Sequence, residues 1–135
     1  MATLQSRLSD LITAIGADVK DAIPFYVPFG RTGDLAVFTG PRVYFPDNVE
    51  LLGATFQVTT APTGSSAIFE VLKNGSGTFS SDPTISASGF LASAGTLAGS
   101  TTFTARTDYL QISCSQIGST IAGADLAVIL KMRLT

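Results

Sequence analysis

The chain has 135 residues, is 45% hydrophobic and only 13% charged, and carries a formal net charge of -2. It has no His and a single Cys. These counts remove the commonest general base and metal ligand, any intrachain disulfide and any cysteine zinc site. They leave no basic excess for nucleic-acid phosphates or an anionic membrane.

The first zone, residues 1–22, reads as a helix. Leu4, Leu8, Leu11 and Ile15 recur at 4-3-4 spacing, and Ile12 and Val19 widen the apolar stripe. Thr3 is placed as the N-cap. Pro24 ends the helix, because the residue before a proline is pushed out of helical geometry. A lone helix of this length is marginal in water, so the stripe needs a partner. Three partners are open: the chain's own β-domain, parallel copies of the same helix, or a groove on a larger assembly.

The second zone, residues 23–47, holds Pro24, Pro28, Pro41 and Pro46 among Phe25, Tyr26, Phe29, Phe38, Tyr44 and Phe45. The prolines forbid a long helix and the rings forbid a solvated linker. The expectation is an extended arm that packs its rings on a surface, of the same subunit or of a neighbour. Arg31-Thr32-Gly33-Asp34 within it reads as a turn.

The third zone, residues 48–135, reads as strands. From Leu126 to Leu134, alternate residues Leu126, Val128, Leu130, Met132 and Leu134 share a face. Leu110, Ile112 and Cys114 do the same. Leu52, Ala54, Phe56 and Val58 are expected together on one face, and residues 67–73 suit a strand covered on both sides. Asn74-Gly75 is a tight-turn signal. It also begins a glycosylation sequon, read here as a turn. No charged residue occurs from Pro83 to Ala105, but Ile85, Phe90, Leu91, Leu97 and Phe103 recur there, which indicates order. The expected fold is mainly β: a β-sandwich or jelly-roll with an N-terminal α-helix.

No secretory signal and no membrane-spanning run is read from the sequence. A thiol in a cytoplasm would stay reduced, and Cys114 is expected to be buried and inert. The carboxylates Asp34, Asp47, Glu50, Glu70, Asp82, Asp108 and Asp125 are dispersed, so glycoside hydrolysis has no evident acid pair. A Ser-Lys pair has no local support, and Gly75-Ser76-Gly77 opens no helix and lacks a P-loop lysine. No catalytic residue, metal ligand or cofactor is assigned, and no enzyme is expected.

Residues 8–20 (LSDLITAIGADVK) resemble the opening helix of many tailed-bacteriophage virion proteins, often tail or head fibres. Residues 61–64 (APTG), 72–75 (LKNG), 116–119 (QIGS) and 122–126 (AGADL) resemble the β-domain that ends phage fibre-like proteins. The resemblance implies a trimeric virion surface protein, made in the host bacterial cytoplasm. Its partners would be further copies of itself, other capsid or tail proteins, and a host receptor at tip loops such as 62–66, 74–78 or 118–124. A short tail or head fibre is the first expectation. The missing long shaft keeps a capsid decoration, or cement, protein as the alternative. A polysaccharide-binding or -cleaving adhesin is a remote third. Leu4, Leu8, Leu11, Ile12, Ile15 and Val19 would hold subunits together or to the virion. Nucleic acid and membrane are not expected partners.

Overall fold

The computed structural model describes residues 3–98 and 101–135, with residues 16–22 described by their backbone alone. The protein is mainly β, with one helix among the described residues. Helix α1 spans Leu4–Ala22. Its cap is the expected one: the Ser6 amide donates to Thr3 Oγ1 at 3.1 Å. The helix ends before Pro24 and touches the last strand, β12 (Ala124–Leu134).

Strands begin earlier than the sequence suggests. Residues 25–47 contribute β1 (Phe25–Asp34), β2 (Phe38–Thr39) and β3 (Val43–Tyr44), so the sheets start at Phe25 and not near residue 48. Pro28 is tolerated because β1 is an edge strand, where a missing amide need not break a ladder. Residues 31–34 are no free turn. They belong to β1, where the register against β12 slips between Arg31 and Asp34 and Gly33 takes a φ of 89°.

The first sheet is ordered β1-β12-β4-β10, with β4 at Val49–Gln57 and β10 at Thr102–Phe103. The second is ordered β2-β11-β5-β6, with β5 at Ala67–Lys73, β6 at Ser76–Gly77 and β11 at Tyr109–Gln116. Strand β3 adds to β11 beyond β2, and β8 (Thr84–Ile85) adds to β5. A small ladder joins β7 (Phe79–Ser81) to β9 (Thr96–Leu97). All pairings are antiparallel.

Both sheets feed one core. Phe56 of β4 stacks on Phe69 of β5, ring centroids 4.8 Å apart and planes at 14°. Around them Leu51, Val71, Ile85, Phe103, Leu110, Val128, Leu130 and Met132 are almost fully buried. The expected alternation holds in β11, and in β12 from Leu126 to Met132, while Leu134 is exposed at the strand end.

In β4 the expected face fails at its first member, Leu52. Gly53 pairs with Lys131 and Leu51 with Met132, so Leu52 is an extra residue between adjacent partners. This bulge switches parity. Val49 and Leu51 face the core before it, and Ala54, Phe56 and Val58 after it, so of the expected face only Leu52 departs.

The charge-free segment lies along the far side of β4. Leu51 donates its amide to Thr101 O at 2.8 Å, Ala92 donates to Phe56 O at 2.9 Å and Val58 donates to Phe90 O at 3.0 Å. Backbone groups of β4 that would otherwise form an open edge are thereby paired. Ile85 and Phe103 anchor the segment in the core, whereas Phe90 and Leu91 stay exposed.

Candidate functional site

The largest unspent apolar resource is α1. Leu4, Leu8, Leu11, Ile12 and Ile15 are between 53% and 85% exposed. Every described helical side chain is exposed, so over residues 4–15 the stripe does not pack on the chain's own sheets. The Val19 side chain lies outside the described residues. Over these residues the helix gains nothing from the tertiary packing that normally sustains helices in water.

The antiparallel registers place the helix at one end of the molecule. Phe25, three residues past the helix, pairs with Met132, and Val49 pairs with Leu134. The 74–78 turn lies at this same end. Lys73 reaches Asp108 at 3.9 Å and sits 5.8 Å from the Phe103 ring centroid, and Asn48 Oδ1 accepts from the Ala105 amide at 2.8 Å. The turn itself is as read from Asn-Gly: Asn74 and Gly75 have φ of 52° and 84°, and Lys73 pairs with Ser76.

The other two proposed tip loops gather at the opposite end of β5. The Thr63 amide donates to Ile121 O at 2.9 Å, the Thr120 amide to Thr63 O at 2.9 Å, and the Ser65 hydroxyl to Ile117 O at 2.8 Å. Asp125 Oδ1 accepts from the Gly33 amide at 2.8 Å and Oδ2 from the Thr59 hydroxyl at 2.9 Å. These bonds hold the Asp125 carboxyl below the usual carboxylate range. Residues 62–66 and 117–125 therefore form one tied cap, about 20 Å from the helix root at the usual rise of a seven-residue strand.

The aromatic residues of the second zone divide into two sets. Phe45 is buried edge-on to Phe103, with centroids 5.9 Å apart. Phe25, Phe29 and Phe38 are half-buried against the core. Tyr26 and Tyr44 are exposed, and Tyr44 leans on Tyr109 at 5.7 Å. Phe25, Phe29, Phe38 and Phe45 thus pack on their own chain.

One carboxyl pair was not legible from spacing. Glu70 of β5 lies within hydrogen-bonding reach of Asp82, and burial and this neighbour raise the Glu70 pKa to about 7. Glu70 Oε1 also accepts from the Val71, Thr78 and Phe79 amides at 2.8, 3.2 and 3.3 Å. Glycosidase carboxyls stand roughly 5–9.5 Å apart to admit a sugar or water; two within hydrogen-bonding reach leave no such gap. Glu50 is taken by Arg133 at 2.6 Å, and Asp108 by Asn74 and the Thr104 amide, both at 2.8 Å. Among the described residues no group of three or more potential metal ligands occurs. Cys114 is buried, its thiol donates to Gln116 O at 3.3 Å, and burial pushes its pKa up. No helix is long and apolar enough to cross a membrane among the described residues.

No protein-family profile matches the sequence, and no curated protein matches it as a relative. The fold is similar to that of a chain in a solved structure described as the cyanophage Pam1 capsid asymmetric unit. That likeness has a TM-score of 0.52 at 20% identity and covers 84% of each chain.

Proposed function

We infer that this chain is a structural protein of a tailed-phage virion, displayed on the particle surface as a homotrimer. The observation that carries this reading is the apolar stripe of α1, exposed along its described length at one end of the molecule. Three parallel helices would bury Leu4, Leu8, Leu11 and Ile15 in a shared seam. Burial of four such side chains contributes roughly 6–12 kcal/mol per chain before ordering costs. The two facing sheets are read as a β-sandwich of jelly-roll type, held out by the helices. The mechanism is binding, with no chemical step.

The fold likeness to a chain of a phage capsid unit supports the virion role. On a capsid the chain would be a decoration protein that clamps coat subunits at local three-fold positions. A short fibre is the second reading. It is favoured by the separation of the helix root from the 62–66 and 117–125 cap, which would put an anchor at one end and a display surface at the other.

A reconstruction of the particle tests both. Density for this chain in hundreds of copies over the shell supports decoration. Tens of copies confined to the tail support a tail fibre. A chain absent from purified particles overturns the virion assignment.

A further inference from the structure

The two sheets do not close along one side. There the edge strand β1 faces the edge formed by β2 and β3, and a cavity of about 410 Å³ opens between them. Its floor is the buried core itself: Ile112, Leu126 and Val128. Both edges are irregular at this point. The β1 register slips just after Arg31. Opposite, the edge breaks between β2 and β3 at Gly40-Pro41, where the Gly40 amide donates to Ile112 O at 2.7 Å. Bulges and breaks of this kind re-aim side chains at rims.

Arg31 is the charged residue in the lining, and its guanidinium lies over the Phe38 ring, 4.3 Å from the centroid. The carboxyl groups of Glu50, Glu70, Asp82, Asp108 and Asp125 are engaged with other partners. Among the described residues no carboxylate is paired with Arg31, so the N–H groups of a guanidinium seated over the ring can meet a planar anion. A cavity of this size, apolar below and with one oriented cation at the rim, has the make-up of a small-molecule site.

We propose that the opening between β1 and β2–β3 binds a small amphipathic carboxylate. The apolar body would sit between the sheets on Ile112 and Val128, and the carboxylate would pair with Arg31. A sugar is disfavoured, because the lining offers few side-chain hydrogen-bonding groups. The site stands whether or not the trimer does, since its named residues belong to one chain.

The test uses the full chain with methyl-resolved NMR, titrating 4-phenylbutyrate and, separately, the uncharged 4-phenylbutanol. The acid should shift the methyl signals of Val43, Ile112, Leu126 and Val128 saturably. Arg31→Gln should weaken the acid about tenfold or more, the scale of a lost charge-assisted hydrogen bond, and leave the alcohol unchanged. Val43→Phe, which fills the cavity, should weaken both. Arg31→Lys keeps the charge but not the fork and should fall between. The proposal is overturned if the acid produces no saturable shift, if its shifts fall on the α1 leucines instead, or if acid and alcohol respond equally to Arg31→Gln.

Discussion

The carboxyl groups of Glu70 in β5 and Asp82, the residue after β7, lie within hydrogen-bonding reach of each other. A hydrogen bond between two carboxyls needs a proton on one of them. Glu70 holds it, because burial and Asp82 raise its pKa from 4.5 to about 7. The folded protein therefore binds a proton that the unfolded chain has already released between those values. The contribution to stability is fully present below pH 4.5 and is lost as pH rises through about 7. Thermal melts should give a lower Tm at about pH 8 than at about pH 5. Glu70→Gln, whose amide can donate to Asp82 while its oxygen keeps the backbone contacts, should flatten that difference. An equal slope in the variant would show that other groups set it.

Gly77 permits this arrangement, since a Cβ there would lie 2.7 Å from Glu70 Oε2. Gly77→Ala should therefore displace the Glu70 carboxyl and reduce the pH dependence as well as the Tm. Gly75→Ala differs in kind. Its Cβ would meet nothing nearer than the Tyr109 hydroxyl at 3.9 Å, but its φ is 84°. The expected cost is about 1–2 kcal/mol of backbone strain, with the pH profile unchanged. Melts of both variants at two pH values separate steric from conformational effects.

How much of this was legible depends on the range of the interactions. The helix was readable, because period, cap and stop all lie within a few residues of one another, as at Thr3, Ser6 and Pro24. Strand β12 was readable because its alternation is uninterrupted down to Met132. In β4 the bulge falls on Leu52, an apolar residue among apolar neighbours, so nothing in the residue types marks the change of face. Around residues 25–34 the prolines excluded a long helix and left an extended arm, and only the strand order makes that arm the edge strand β1. The Glu70–Asp82 pair and the Arg31 opening join segments whose meeting is set by strand order, so no local spacing reports them.

The Phe56–Phe69 stack links the two sheets at the centre of the core. Phe56→Ala should lower stability by about 3–5 kcal/mol, the usual cost of an emptied aromatic site. Denaturant titration measures it. A loss below about 1 kcal/mol would mean that the sheets are held together mainly elsewhere.

For α1, the expected outcome is separation of assembly from folding. Leu11 is exposed in the single chain, so Leu11→Asp removes no contact within the β-sheets. In a three-helix seam the same change puts a carboxylate into each of three apolar positions. It forfeits about 2–3 kcal/mol of burial per chain, besides the cost of placing three like charges together. Sedimentation at micromolar concentration should show wild-type trimers and variant monomers, with the same near-ultraviolet spectrum from the tyrosines of the β-sheets. A wild type that sediments as a monomer overturns constitutive trimerisation. If the wild type is monomeric and the variant no longer binds particles, the stripe is an anchor in a groove of the virion. If neither assembly nor attachment changes, α1 is peripheral and the sheets alone make the contacts.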